Sequence, residues 1–487
     1  MARRTPSPSE PAVKRKHIFL IITDQQRFDT IAALGFGHMH TPNMDRLVRE
    51  GTSFDNCFVT APSCVPSRAS LFNGYWPHTT GVLRNGLHWQ RTWVGSLAEQ
   101  GYHCVNIGKM HTIPYDAKAG FHERFVCENK DRYYEGRWFA DEWDKALAAR
   151  KQVKPSRERY RDLPDYKERL GAYEWPLPPE SHADFFVGDM ASWWLETRPK
   201  PEKLFMQVGF LGPHPPYDPV ASYAKPYLDN PDLPVPEPRP SDLDDLPSFL
   251  KHKRAHDSKV DHDAVLWSME PTREQLRRLR AYYLANVTMI DEALGKMLKV
   301  MEQKGYLDES LVIFCADHGE ALGEHGLSQK WSMYDVVTRV PAIFWAPGEV
   351  KQDQRLDGLC QLFDIGATIL DWAGAPQPPA AQAQSLMPAL RGEAWSGRDA
   401  VFSEQAGDVA LTGASLFTMV REKRYKLMHI TGSTEGQLFD LDADPKEMHN
   451  LWHDAALQAE KARLLQVLLE WRMESSVQTM TLMSEAR

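Results

Sequence analysis

Apolar positions follow two rhythms along the chain. Residues 17–23 are an unbroken apolar and β-branched run closed by Asp24-Gln25-Gln26-Arg27. Residues 204–210 and 311–316 repeat the design, ending at Gly212-Pro213-His214-Pro215-Pro216-Tyr217 and Asp317-His318-Gly319-Glu320. Continuous apolar runs bounded by polar residues predict strands buried on both faces, as in a parallel sheet. Residues 102–107 and 340–345 predict two more, and Pro341 puts the second at a strand start or a sheet edge. Between these runs the period becomes helical: 41–50 closed by Gly51, 93–100 stopped at Gly101, 183–196, 278–304 and 362–372. In the long one, Tyr283, Val287, Ile290, Leu294, Met297 and Met301 step along one face. Strands alternating with helices predict an α/β fold, a large mixed, mostly parallel sheet sandwiched by helices.

Past residue 376 the texture changes. Segments 400–403, 416–421, 425–430 and 437–441, separated by turn residues, predict a smaller C-terminal antiparallel sheet. A helix over 455–471 and a polar tail close the chain. The expected organisation is a disordered tail at 1–16, a catalytic α/β domain at 17–375 and a C-terminal subdomain at 376–487. Two stretches, 122–182 and 218–270, are rich in charge, aromatics and proline, and are expected as loop-rich insertions that cover a site and set its specificity.

With 487 residues, 42% of them hydrophobic, the chain can bury a sizeable core. A net charge of −9 argues against nucleic acid or an anionic membrane as the main partner. No apolar run is long enough to span a bilayer, the first sixteen residues carry no apolar leader core, and six cysteines are scattered without a framework. The expectation is a soluble cytoplasmic protein.

The stretch with the most specific chemistry is Ala61-Pro62-Ser63-Cys64-Val65-Pro66-Ser67-Arg68. Pro66 sets φ for a first helical turn, which places Cys64 at a helix N-terminus where free N–H groups favour an anion; Arg68 adds a charge one turn on. Two strand ends carry Asp24 with Gln25 and Asp317 with His318, oxygen-rich pairs suited to a hard divalent ion, with His318 admitting Mn²⁺. Lys109 and His111, two apart on an extended chain, point to one side. His214 is held between prolines. Taken singly, each has a plain structural reading: a small buried hydrophobe, a turn residue, a solvated loop end, an incidental histidine.

Together, and in this order, they resemble the sulfatase family, of the alkaline phosphatase superfamily, over most of the chain. The resemblance implies that Cys64 is oxidised to Cα-formylglycine by a formylglycine-generating enzyme, and that its hydrate is the nucleophile. It implies a catalytic set of Cys64, Arg68, Lys109, His111, His214 and Lys330, with Asn85 and His325 against the substrate. Asp24, Gln25, Cys64, Asp317 and His318 would hold one divalent metal ion, Ca²⁺ first, Mn²⁺ or Mg²⁺ as alternatives. Gln25, His318, the Pro-His-Pro-Pro turn and the tail after Trp471 look most like the arylsulfatase and phosphonate monoester hydrolase branch, and the tail suggests a homo-oligomer. Phosphonate hydrolases carry Tyr and Thr where this chain has Lys109 and His111, which favours sulfate monoesters, aryl or carbohydrate and alkyl. Asn73 stands where the family has Thr or Ser before glycine. The rival readings are a phosphonate monoester or phosphodiester hydrolase on the same fold, and a catalytically inactive binding homologue.

Overall fold

The computed structural model describes residues 16–128, 140–408, 414–480 and 482. All of the expected N-terminal tail except Lys16 lies outside these residues, as do 129–139 of the first insertion. Nine strands form the main sheet: β1 (His17–Asp24), β2 (Thr52–Phe58), β3 (His103–Gly108), β4 (Glu123–Val126), β5 (Leu204–Pro213), β6 (Ser310–Ala316), β7 (Arg339–Val340), β8 (Ala342–Trp345) and β9 (Gln354–Gln361). Their order is β4-β3-β5-β1-β6-β8-β2-β7, with β9 on the other side of β2. The pairs from β4 to β6 are parallel; β8 runs antiparallel to both β6 and β2. The sheet is therefore mixed and mostly parallel, as the unbroken apolar runs require.

Side-chain alternation divides the core cleanly. Phe19 and Ile21 of β1 face the same side as Ile107, Val208 and Phe314, and pack under the helices Ala183–Thr197 and Arg273–Gln303. Ile18, Leu20 and Ile22 face the other side with Cys104, Phe205 and Ile313, under the helices Cys64–Asn73, Val94–Glu99 and Asp364–Ala373. Burial on both faces keeps these strands mostly apolar, and Asn106 and Gln207, buried exceptions, bond to each other. The long helix begins earlier than its apolar period indicates, because Thr272 and Gln275 form a capping box.

Four details differ from the sequence reading. β2, β4 and β9 were not anticipated. Pro341 does not open a strand but separates β7 from β8, whose Ala342–Trp345 lies inside the sheet between β6 and β2. Gly51 ends its helix in extended backbone rather than a left-handed cap, and is glycine because a Cβ there would meet the Phe344 carbonyl at 2.2 Å. The last helix, Gln458–Gln478, runs seven residues past Trp471 where a tail was expected.

The small sheet is β10 (Val401–Ala406), β11 (Leu416–Arg421), β12 (Tyr425–Ile430) and β13 (Gly436–Asp440), antiparallel in sequence order. It is joined to the segments flanking the Cys64 helix. Glu404 N–H donates to Thr60 O at 2.9 Å and Ala406 N–H to Leu83 O at 3.0 Å. Trp471 of the last helix stacks on Phe402 at 4.6 Å and meets Trp76 edge-on at 5.2 Å. Replacing Trp471 by Ala removes this aromatic keystone and is expected to destabilise the protein by about 3 kcal/mol. Chemical denaturation followed by tryptophan fluorescence and circular dichroism measures this; an unchanged midpoint would show that the closing helix is not part of the cooperative fold.

Candidate active site

The carboxyl ends of β1, β6, β3 and β5 and the N-terminus of the Cys64–Asn73 helix converge on one point, where ligands of open α/β sheets bind. Cys64 is the first residue of a helix buried from Cys64 to Phe72. Its N-cap, Ser63, makes no capping hydrogen bond; its hydroxyl donates instead to Gln405 Oε1 of β10 at 2.7 Å. The Ser63 side chain thus does not occupy the helix N-terminus. Asn85 closes one side by accepting from Val65 N–H at 3.1 Å and lying 3.6 Å from the Cys64 sulfur.

Asp24 is the buried centre of the site. Lys109 Nζ lies 2.5 Å and Arg68 Nη2 3.6 Å from its Oδ2. Burial works against its ionised form, but the charges of Lys109, His214, Arg68 and Lys330 hold it well below the usual carboxylate range. Arg68 also donates from Nε to Asp317 Oδ2 at 2.7 Å and from Nη1 to Lys109 O at 3.0 Å. Burial disfavours its charge, yet Asp317 and Asp24 keep it more firmly protonated than a free guanidinium. Gln25 has a left-handed backbone, φ 69°, fixed by its N–H donating to Asp317 Oδ1 at 3.0 Å and by Tyr283 donating to its carbonyl at 2.6 Å. Its side-chain amide donates to Glu320.

Lys330 reaches in from a loop whose neighbours Gln329 and Trp331 are both left-handed and whose Trp331 N–H is tied to Pro62 O at 3.2 Å. Its Nζ is 3.6 Å from the Cys64 sulfur, 3.3 Å from Gln25 Oε1 and 3.3 Å from His214 Nε2. Burial opposes its charge, but Cys64, Asp263 and Asp24 raise its pKa overall. His214 is oriented by an Nδ1 contact of 2.7 Å to Pro215 O; burial and the Lys330 charge push its pKa well down.

The Lys109–His111 pair arrives differently from expectation. The chain is not extended there: His111 has φ 65°, and its N–H donates to the buried Glu128 carboxylate at 3.1 Å. The turn still brings a His111 ring nitrogen into one group with Asp24 and the Cys64 sulfur. Burial and Lys109 lower the His111 pKa to about 3. His325 pairs Nδ1 with Asp242 Oδ2 at 2.6 Å and stacks on Tyr334 at 3.6 Å. Sequence reasoning did not single out Asp263, 3.5 Å from His214 Nε2, nor Glu128 and Glu320, which hold His111 and Gln25. Glu320 lies a few residues past the end of β6, the one signal that would have marked it, whereas Glu128 follows β4, a strand the sequence does not reveal.

Asp24, Asp317 and His318 present ligand atoms within 4.8 Å of one another. Asp24 Oδ1 and His318 Nε2 are buried without a hydrogen bond, and His318 Nδ1 is turned away onto Gly319 O at 2.9 Å. Two carboxylates and an imidazole aimed inward fit a hard divalent cation.

The chain is 28% identical to an arylsulfatase of Clostridium perfringens over 90% of each protein. It is equally 28% identical to the multifunctional alkaline phosphatase superfamily protein PehA of Trinickia caryophylli, over 96% of this chain and 97% of that one. The structure of a phosphonate monoester hydrolase from Silicibacter pomeroyi superposes with a TM-score of 0.78 at 26% identity, covering 94% of this chain and 96% of that one. Residues 323–474 match the model for the C-terminal part of N-sulphoglucosamine sulphohydrolase. The sulfatase model matches residues 16–375, a span that contains Cys64 and every residue gathered around it, and the chain therefore belongs to the sulfatase family.

Proposed function

We propose that the protein hydrolyses sulfate monoesters to alcohol and sulfate, with residue 64 acting as the hydrate of Cα-formylglycine. The observation that carries the reading is the meeting of Lys330 with Lys109 and Arg68, paired through Asp24, around Cys64 at the first residue of a buried helix, cationic groups around a would-be nucleophile. When bound between Asp24, Gln25, Asp317 and His318, a divalent ion, Ca²⁺ by the hardness of the oxygen donors, would polarise the sulfuryl oxygens, and formylglycine hydrate would supply the nucleophilic oxygen.

The remaining roles belong to the chain's own side chains. Lys109 and Lys330 hold the sulfuryl oxygens, where charge grows as the ester bond lengthens. Asn85 fixes the helix N-terminus, and Arg68 locks Asp24 to Asp317 so that the ion's ligands stay in place. Lys330, which burial does not discharge, and His214, whose Nε2 lies 3.3 Å from it, together deliver a proton to the leaving alcohol. His111, neutral at pH 7 because burial and Lys109 lower its pKa to about 3, would be the base that takes a proton at residue 64 when the hydrate is present, as release of sulfate requires. His325, placed among the substrate contacts by resemblance, supports the wall through Asp242 and Tyr334. Hydrolysis of phosphonate monoesters is the second reading, favoured by the likeness to the Silicibacter pomeroyi enzyme.

Four measurements test this. Mass spectrometry of the peptide spanning Cys64, from protein made with a formylglycine-generating enzyme, is expected to show the thiol replaced by an aldehyde; an intact thiol in the active protein removes the mechanism. The kcat/KM for 4-nitrophenyl sulfate is expected to exceed that for a phenyl phosphonate ester by more than about tenfold, roughly 1.4 kcal/mol in barrier, and the reverse order would favour the second reading. Chelation is expected to lower activity by about a hundredfold or more, restored by Ca²⁺, Mn²⁺ or Mg²⁺. Asp24→Asn should abolish stoichiometric metal uptake measured by elemental analysis; retained uptake would place the ion elsewhere.

A further inference from the structure

Both insertions meet over His214. The segment Arg157–Arg161 and its sequel contribute Arg157, Arg161, Tyr166 and Tyr173; the turn at 261–265 contributes Asp261, Asp263 and Ala264. Arg161 forks onto Asp261 at 2.6 and 2.7 Å, and Tyr173 donates to Ala264 O at 2.9 Å. Arg157 Nη2 donates to Asp263 Oδ1. Asp263 and Ala264 are consecutive non-glycine residues in the left-handed region, φ 59° and 63°. Such a conformation is disfavoured, doubly so at alanine, and persists only where the surroundings enforce it. Here the His262–Val265 bridge closes the turn, and Gln329 Nε2, next to Lys330, donates to His262 O at 2.7 Å.

The outcome of this enforced turn is one carboxylate aimed inward. Asp263 Oδ2 lies 3.5 Å from His214 Nε2, the ring nitrogen that also faces Lys330. His214 Nδ1 is committed to Pro215 O, so Nε2 is the only nitrogen left to serve a leaving group. A protonated Nε2 beside the Lys330 ammonium is repelled unless a negative charge stands on its other side. Asp263 is that charge, and Arg157 fixes it from outside. Asp24, the other carboxylate near this ring, is already engaged with Lys109 and Arg68.

We propose that Asp263, held by Arg157, is a positioning residue for leaving-group protonation: its carboxylate beside Nε2 of His214 offsets the Lys330 ammonium, so that this nitrogen can carry the proton that passes to the ester oxygen. As the S–O ester bond breaks, the proton passes from His214 Nε2 to the departing oxygen, the alcohol leaves and the imidazole is left neutral. The inference rests on the esterase reading above and extends it, because a proton donor matters most where the leaving alcohol is a poor one. The two insertions would then set the range of esters accepted by tuning the acid as well as by shape.

The test compares kcat/KM for 4-nitrophenyl sulfate and phenyl sulfate in the wild type, Asp263→Asn and Asp263→Glu, each pair of substrates on one preparation. Taking the ratio cancels any loss of folded protein. Asp263→Asn is expected to lose less than about threefold on the nitrophenyl ester and more than about tenfold on the phenyl ester, with Asp263→Glu restoring most of the difference. Equal losses on both substrates, or none, would overturn the proposal. If Asp263→Asn does not fold, Arg157→Gln should shift the ratio in the same direction by a smaller factor, and an unshifted ratio there counts equally against it. Should the wild type cleave only phosphonate esters, the sulfate reading fails, and the same ratio on 4-nitrophenyl and phenyl phosphonate esters decides the role of Asp263.

Discussion

The charge on Asp24 is the constraint on which the rest of the site depends. A carboxylate without solvent contact is strongly disfavoured in the interior unless cations and donors surround it. The fold meets this with Lys109 and Arg68, and Arg68 in turn spans to Asp317 on the neighbouring strand end. The arrangement works in both directions. Arg68 and Lys109 sit in a dry interior because two carboxylates await them, and the carboxylates stay ionised because the cations are there. Removing one member leaves its partner as an uncompensated buried charge. The cluster also explains how a protein with a net charge of −9 makes a place for an anion: local field, not overall charge, decides what enters a cleft.

Geometry from two separate sources meets at this cluster. Parallel strands β1 and β6 are adjacent, so the residues that end them, Asp24 and Asp317, are neighbours without further design. The helix carrying Cys64 and Arg68 is buried against the opposite face from the Arg273–Gln303 helix. Tyr283 of that long helix reaches through to the Gln25 carbonyl. The loops supply what the sheet does not, and each contributes through backbone held in left-handed conformations: Gln25, His111, Asp263, Gln329 and Trp331. Strain concentrated around one point is common where function sets the geometry.

The parts legible in the sequence were those set by local rules. Asp24, Asp317, His318 and Lys109 follow apolar strands, and strand ends are where ligands of this architecture bind. Cys64 and Arg68 are linked by the period of one helix. The small antiparallel sheet was visible as short runs between turns. What escaped depends on tertiary placement. β2 reads Thr-Ser-Phe-Asp-Asn-Cys-Phe, too polar for a buried strand, and is held by neighbours on both sides. β9 alternates charge along its outer half because it is an edge. Asp263 lies 49 residues beyond His214 in a proline-dense segment, and no local pattern says that the two will meet.

The buried position of residue 64 also imposes an order of events in time. Cys64 is 2% exposed, its helix is covered along nearly its whole length, and the residue before it is fastened to Gln405 in the small sheet. An enzyme that needs to grip the backbone on either side of this cysteine finds no free chain in the finished fold. On the proposed function, oxidation of Cys64 would therefore belong to the interval before the C-terminal strands dock, while the segment from Ala61 to Arg68 is still an open peptide. Synthesis from the N-terminus creates that interval, since residue 64 leaves the ribosome some 340 residues ahead of Gln405. Docking of the small sheet would then be the latch on that step.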